Sequence, residues 1–103
     1  MQIIAGPRGS GRTDALIRRA HAEFAYIVCA DHKEADNIAH RARVMELNIP
    51  LPITYEEFVR KRYNPGGIRA LMIDNVDRLL EYIARGSHIS VITTPVPHQI
   101  LHP

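Results

Sequence analysis

The sequence predicts an α/β fold of three layers (α/β/α), in which helices cover both faces of a small, mostly parallel sheet. Apolar runs typical of buried strands alternate with helix-like segments, and right-handed crossovers place helices on both faces of such a sheet. Residues 24–30, FAYIVCA, form an unbroken apolar run typical of a parallel strand buried on both faces. With 103 residues, 46% of them hydrophobic, the chain can build one core. We predict a single domain at residues 1–94 and a proline-rich tail at residues 95–103.

The first predicted strand occupies residues 2–5 and is followed by a glycine-rich loop. This loop, from Gly6 to Gly11, contains three of the six glycines in the chain. Glycine reaches backbone conformations that other residues avoid, so such a loop makes an unusual turn or approaches a ligand closely. A helix is predicted from Thr13, because good helix formers follow it and Asp14 suits a first turn.

Two capping boxes predict the helices in the middle of the chain. Asp31 pairs with Glu34, and Thr54 pairs with Glu57, each three residues apart. The second of these helices is expected to run to about residue 62. The first has an apolar stripe at helical spacing, formed by Ala35, Ile38, Ala42 and Met45.

Two further strands are predicted around a last helix. Residues 70–73 form a buried strand that ends at Asp74, and residues 88–94 form the final strand. The helix between them is expected to carry a Glu81–Arg85 ion pair on its outer face. Four apolar side chains are expected to face inward: Val76, Leu79, Leu80 and Ile83.

The glycine-rich loop, GPRGSGRT at residues 6–13, resembles the Walker A motif G-x-x-x-x-G-K-[ST], with Arg12 in the position of the lysine. In that motif, backbone N–H groups and the helix N-terminus hold phosphate, a cation reaches the β- and γ-phosphates, and a hydroxyl binds Mg²⁺. Thr13 supplies the hydroxyl at the required position. The alternative interpretation is a glycine-rich turn that binds no ligand.

Residues 71–74, LMID, resemble the Walker B motif, an apolar strand that ends in an acid. An aspartate at the carboxyl end of a neighbouring strand can hold Mg²⁺ through water. Asp74 as a cap for the next helix is the alternative interpretation, and it is compatible with a metal role.

Together these motifs resemble a minimal P-loop NTPase core, of the branch that contains helicases, AAA+ proteins and RecA. The resemblance implies that a purine nucleotide such as ATP binds with Mg²⁺ held by Thr13 and Asp74. It also implies a polar residue that senses the γ-phosphate at the end of the last strand, Thr93 or Thr94. Short P-loop proteins of this kind are typical of bacteriophage genomes, which makes a phage protein the expected source. The implied nucleotide-binding residues are Gly6, Arg8, Gly9, Ser10, Gly11, Arg12, Thr13, Thr93 and Thr94.

The chain departs from the family pattern at the residues that matter for hydrolysis. Arg12 replaces a compact ammonium with a longer, forked guanidinium. Asn75 stands where the family has its catalytic glutamate, and an amide orients water without accepting its proton. Asp77 is the nearest substitute base, so the catalytic candidates are Arg12, Asn75 and Asp77. We therefore expect nucleotide binding with weak or absent NTP hydrolysis.

The printed sequence also holds no second lobe to close over a nucleotide. An active form is therefore expected to borrow an arginine from a neighbour, in a homo-oligomer or a larger protein complex. The rival hypothesis is an inactive P-loop fold that serves as a protein-interaction module, for example a phage factor that binds a host or replication protein. A small nucleotide kinase is disfavoured, because the elements between the two motifs leave no room for an acceptor-binding insert and a lid.

Other features predict less specific roles. The basic cluster at residues 60–62, with Tyr63 beside it, is expected to be a solvated helix end, and contact with nucleic-acid phosphate is the alternative. His98 and His102 have the spacing of a metal pair only in a helix, which the neighbouring prolines disfavour. Cys29 is expected to be a small core residue.

Composition bounds the environment of the protein. A lone cysteine forms no internal disulfide, which is typical of a reducing compartment, and no signal peptide opens the sequence, so a cytoplasmic location is predicted. The longest apolar runs are too short to cross a bilayer, so no membrane partner is expected. The formal charge of +2 and the pI near 9.0 permit a phosphate-bearing partner.

Overall fold

A computed structural model describes residues 1–102 of the chain. Strands and helices alternate in these residues, and the last of these elements is a strand. The strands are β1 (Ile3–Ala5), β2 (Tyr26–Cys29), β3 (Ile53–Thr54), β4 (Leu71–Ile73) and β5 (His98–Ile100). The helices are α1 (Arg12–Glu23), α2 (His32–Val44), α3 (Tyr55–Val59) and α4 (Val76–Ile83).

The strands form two small parallel sheets, so the predicted α/β class and parallel pairing are confirmed. The larger sheet has the order β3-β2-β4, and the smaller sheet pairs β1 with β5. In the larger sheet, Val28 of β2 lies opposite both Ile53 and Ile73. The register of the smaller sheet places Ile4 opposite Gln99.

The core lies on both faces of β2, as its continuous apolar sequence predicts. Ile27 and Cys29 pack in one buried cluster with side chains of α1 and α2. Val28 points the other way, since successive strand residues face opposite sides, and packs with Tyr55 and Leu79 of α3 and α4. The predicted apolar stripe of α2 is confirmed, because its three members within the helix are buried and the fourth packs against them: Ala35, Ile38, Ala42 and Met45.

The predicted helix starts at α2 and α3 are also confirmed. The Asp31 carboxylate accepts a hydrogen bond from the Glu34 backbone N–H at 2.9 Å. At α3 the capping box is reciprocal: the Thr54 hydroxyl accepts from the Glu57 N–H, and the Glu57 carboxylate accepts from the Thr54 N–H. The helix that follows is shorter than expected, because it ends at Val59.

The prediction of a strand at residues 88–94 is wrong. This segment forms no strand, and Val91 and Ile92 are 76% and 59% exposed. A β-branched sequence favours extended backbone, but a strand needs a neighbour, and within residues 1–102 this segment has none. The strand that does form, β5, lies within the segment assigned to the tail and was not predicted.

The inward face predicted for α4 is correct for Leu79 and wrong for its two ends. Val76 and Ile83 are 47% and 53% exposed, because no strand beyond β4 extends the sheet beneath them. The ion pair predicted between Glu81 and Arg85 does not form. Arg85 has a φ of 55°, so the chain has already left the helix at that position.

None of the helices in residues 1–102 has the length and apolarity needed to span a bilayer.

Candidate functional site at the carboxyl ends of β1 and β4

The loop between β1 and α1 is shaped by two glycines in the left-handed region. Gly9 has a φ of 82° and Gly11 a φ of 88°, where a side chain would strain the backbone. The Ser10 N–H donates to the Pro7 carbonyl at 3.1 Å and closes a turn. A Cβ added at either glycine would meet nothing within 4 Å, so this side of the loop faces open space.

Gly6 has a different role, because packing rather than φ excludes a side chain there. A Cβ at Gly6 would lie 2.5 Å from Ser10 Oγ and 3.0 Å from the backbone oxygen of Leu101. Leu101 follows β5, and its N–H donates to the Ala5 carbonyl at 2.6 Å. Leu101 therefore supports the base of the loop.

The first turn of α1 leaves its backbone donors without a side-chain cap. Its N-cap is Gly11, which has no side chain to accept from the following N–H groups. The N-terminal end of a helix carries partial positive charge, so uncapped donors there favour an anion. Ser10 Oγ is buried and finds no hydrogen-bond partner among residues 1–102. Arg12 and Thr13, both half-buried, are the first two residues of the helix.

Asp74 is buried at the carboxyl end of β4, with 4% of its surface exposed. Burial and the nearby Glu34 carboxylate raise the pKa of Asp74, while the positive charges of Arg12 and Arg78 oppose that rise. The charge of Arg12 therefore acts on Asp74, although within residues 1–102 the two side chains form no ion pair. Asp74 does not cap α4, because the N-cap of that helix is Asn75.

The backbone after β4 is held by the side chain of Tyr55. The Tyr55 hydroxyl donates to the carbonyls of Asp74, at 2.6 Å, and of Asn75, at 3.0 Å. Asn75 has a φ of 57°, in the left-handed region that asparagine enters more readily than most residues other than glycine. The two hydrogen bonds fix the direction in which the chain leaves β4, and with it the position of Asp74.

The remaining candidate residues lie outside this group. Arg8 is exposed on the loop, and Asp77 is exposed in the first turn of α4. Thr93 and Thr94 are exposed in the segment that forms no strand. Of the candidates, Arg12 influences the pKa of Asp74 by its charge, whereas the two threonines lie in a segment that forms no strand.

Three residues outside the two motifs shape the surroundings of Asp74: Glu34, Arg78 and Tyr55. Glu34 has the sequence signal of a capping partner, and a carboxylate in the first turn after a strand also lies at the same sheet edge as Asp74. Arg78 lies in the first turn of α4, and its spacing from Asp74 in the sequence indicates that the two are close. No sequence signal indicates the long-range hydrogen bonds of Tyr55.

The donor atoms fit magnesium bound together with phosphate. Magnesium prefers oxygen ligands and commonly takes one or two from the protein, with phosphate and water supplying the others. The Thr13 hydroxyl and the Asp74 carboxylate are of this kind. Within residues 1–102 no group of three or more His, Cys, Asp or Glu side chains is arranged to hold a metal ion without such help.

Two surface clefts lie elsewhere on the molecule. One is lined by Arg18, His21, Met45 and Leu47. The other lies between Tyr63 and Leu71. Neither of these two clefts is lined by a residue of the loop after β1.

No protein-family model, curated protein or solved structure matched this chain. What the protein binds is therefore inferred from its own residues and their geometry.

Proposed function

We propose that this protein binds a purine nucleotide such as ATP, together with Mg²⁺, at the carboxyl ends of β1 and β4. In this proposal the molecule is a minimal P-loop core of three layers. Turnover of the nucleotide is weak or absent.

The observation that carries the proposal is the form of the loop after β1. Gly9 and Gly11 both have left-handed backbone, and the helix that follows has no side-chain cap. This combination supplies backbone donors and the positive end of a helix to one anion. The loop would hold phosphate through these donors, and Arg12 would add a charge-assisted contact of about 1.5–3 kcal/mol.

Mg²⁺ would be held by Thr13 and Asp74 and would neutralise phosphate charge. The raised pKa of Asp74 follows from its burial and from Glu34, and a bound cation stabilises the ionised carboxylate that it needs as a ligand. Bound phosphate and metal would therefore support each other at this edge of the sheet.

Slow hydrolysis follows from the residue after Asp74. The backbone of Asn75 is left-handed and accepts a hydrogen bond from Tyr55, and the Asn75 side-chain amide accepts no proton from water. Asp77 is exposed one helical step away. Absence of a general base costs about 10²–10⁴-fold in rate.

Isothermal titration with ATP–Mg²⁺ tests the proposal on the full chain. Thr13→Val removes the metal-binding hydroxyl, whereas Thr13→Ser retains it, so we expect Thr13→Val to lose Mg²⁺-dependent binding and Thr13→Ser to keep it. Arg43→Ala, which removes an exposed arginine of α2 far along the chain from the loop, is the matched control for Arg12→Ala. No heat of binding at millimolar ATP–Mg²⁺, or equal affinity in all four variants, contradicts the proposal.

A protein-interaction module is the second candidate, and exposed apolar side chains favour it. Val76 and Ile83 of α4 and Val91 and Ile92 of the following segment are all exposed. A partner that binds through these side chains would bind equally well to Gly11→Ala and Thr13→Val variants, which distinguishes the two candidates.

A further inference from the structure

The segment between α3 and β4, residues 60–70, is called the basic loop below. It contains no acidic residue and four basic ones: Arg60, Lys61, Arg62 and Arg69. Arg60 and Arg62 share one carboxylate oxygen of Glu56, at 3.8 and 4.0 Å. The other two basic side chains form no ion pair within residues 1–102. One carboxylate thus stands against four exposed cations, and the loop presents net positive charge to the solvent.

An open cleft of about 280 Å³ lies in the basic loop and reaches the first residue of β4. Its lining is mostly apolar, with one aromatic ring and one cation: Tyr63, Pro65, Ile68, Arg69, Ala70 and Leu71. Pockets that enclose a whole small-molecule ligand hold about 300–1,000 Å³, so this cleft suits one flat group of a larger ligand. An aromatic ring and a guanidinium both stack on flat π-systems, and the guanidinium also binds anions.

The aromatic ring of the cleft is held in place by its neighbours. Tyr63 packs edge to face with Tyr26, with the ring centroids 5.8 Å apart and the planes at 75°. The Tyr26 hydroxyl donates to the Asn64 carbonyl at 2.9 Å, and the Asn64 side chain accepts from the Gly66 N–H. The ring is therefore positioned before a ligand arrives, which lowers the ordering cost of binding.

The basic loop lies at the opposite end of β4 from Asp74. It leads into the amino end of that strand, where the Ala70 carbonyl accepts from the Tyr26 N–H at the start of β2. β4 has three residues, a span of about 10 Å at the usual rise of a strand. A ligand in this cleft and a ligand at the loop after β1 therefore occupy opposite ends of the parallel strands.

We propose that the basic loop binds single-stranded nucleic acid, with one base in the cleft against Tyr63 and the neighbouring phosphates on the basic side chains. This site is independent of the proposed nucleotide site. A single strand alternates flat bases with anionic phosphates, and surfaces that bind it combine aromatic rings with cations. Lys61 and Arg62 directly precede Tyr63, and Arg69 lines the cleft with it. An acidic polypeptide offers charge without this regular succession of flat groups.

Fluorescence anisotropy of a labelled oligothymidine of about 12 nucleotides, at several salt concentrations, tests the proposal on the full chain. Lys61→Ala and Arg69→Ala each remove one phosphate contact. We expect each to weaken binding and to lower the slope of log affinity against log salt concentration by about 0.7. Arg43→Ala is the matched control and should change neither quantity. It removes an exposed arginine of α2, which packs on the other face of the larger sheet.

Variants at Tyr63 separate base stacking from charge. Tyr63→Phe keeps the ring, whereas Tyr63→Leu keeps an apolar side chain against the core without a ring. We expect the phenylalanine variant to bind as the unmodified chain does. We expect the leucine variant to bind about tenfold more weakly with an unchanged salt slope, because stacking releases no counterions. A duplex of the same length should bind more weakly than the single strand, since its bases are already stacked and paired.

Several outcomes would overturn the proposal. Absence of an anisotropy change does so directly, and equal affinity of Tyr63→Leu and Tyr63→Phe removes the base from the cleft. Competition by polyglutamate as strong as that by unlabelled oligothymidine would make an acidic polypeptide the ligand instead. Thr13→Val, at the proposed nucleotide site, should leave oligothymidine binding unchanged. A loss of binding in that variant would move the oligonucleotide to the loop after β1 and overturn the site proposed for the basic loop.

Discussion

Burial has a clear effect on the pKa of Cys29 and so on the reactivity of its thiol. Its side chain is 1% exposed, and its thiol hydrogen points to backbone carbonyls, that of Ile53 at 3.5 Å. Burial and the nearby carboxylates of Glu34, Asp74 and Asp31 raise the pKa of Cys29 to about 12. A thiol that stays protonated is a poor nucleophile and metal ligand, so Cys29 acts as a small core residue.

This raised pKa predicts a loss of stability at alkaline pH. The thiol of the unfolded chain has a pKa near 9.0. Between that pH and about 12, the folded chain retains a proton that the unfolded chain releases. The free energy of unfolding therefore falls as pH rises through this range. Urea unfolding should show a free energy that falls by about 1 kcal/mol per pH unit above pH ~9. Cys29→Ala removes this contribution, leaving the later one of Tyr55, whose pKa burial raises to about 12. An identical pH slope in the two proteins near pH ~9.5 would contradict this explanation.

Tyr55 is an example of a residue whose role cannot be predicted from the sequence. As the first residue of α3 it follows a capping box that the sequence predicts, but its hydroxyl acts on Asp74 and Asn75 in a distant element. Local patterns such as the Thr54–Glu57 box depend on neighbours in sequence and are therefore predictable. A hydrogen bond between residues far apart in the chain depends on the fold, and no spacing rule indicates it.

At the scale of elements, α1 and α2 are joined by one bidentate ion pair. The Arg41 guanidinium donates to both carboxylate oxygens of Asp14, at 3.0 and 2.9 Å. The Arg41 hydrogen bond lowers the pKa of Asp14 against the opposing effect of burial. Because Asp14 lies in the first turn of α1, this pair fixes the helix that begins the candidate site.

A double-mutant cycle on Asp14→Ala and Arg41→Ala should give a small favourable coupling energy, because a bidentate pair of good geometry stabilises even where solvent screens it. The coupling is present above the unfolded carboxyl pKa of 3.8 and is lost as pH falls through the lower, folded value. It should also weaken at high salt. Chemical unfolding of the four proteins at neutral pH and at about pH 2 measures it. Additive effects at neutral pH would show that the pair contributes nothing.

The predicted elements differ from the observed ones where a strand forms only because a neighbouring strand pairs with it. β2 and α2 could be predicted because their apolar patterns match the core that covers them. Residues 88–94 have a stronger strand sequence than β5, yet β5 pairs and residues 88–94 do not. Propensity describes how a backbone fits a sheet, whereas a strand forms only where a neighbouring edge meets it. The short run HQI at His98–Ile100 carries no propensity signal of its own.

At the scale of the whole molecule, the pairing of β5 with β1 bears on where the domain ends. The sequence predicts that the domain ends at residue 94, whereas the structure places β5 beside β1 and Leu101 against Gly6. With a radius of gyration of 13.7 Å, the chain has the size of one compact domain of its length. The division at residue 94 thus remains a prediction that a truncation can test.

Truncation after Thr94 should destabilise the protein, because it removes the only strand that pairs with β1 within residues 1–102 and the hydrogen bond from Leu101 to Ala5. Each backbone hydrogen bond contributes about 1 kcal/mol net, so a loss on the order of a few kcal/mol is expected in urea unfolding. Pro95→Ala, in the same segment but outside β5, is the control and should change stability little. Since the lost contacts support the loop after β1, nucleotide binding should weaken together with stability. A truncated chain as stable as the full one would show that the domain ends at residue 94 and that β5 contributes nothing to it.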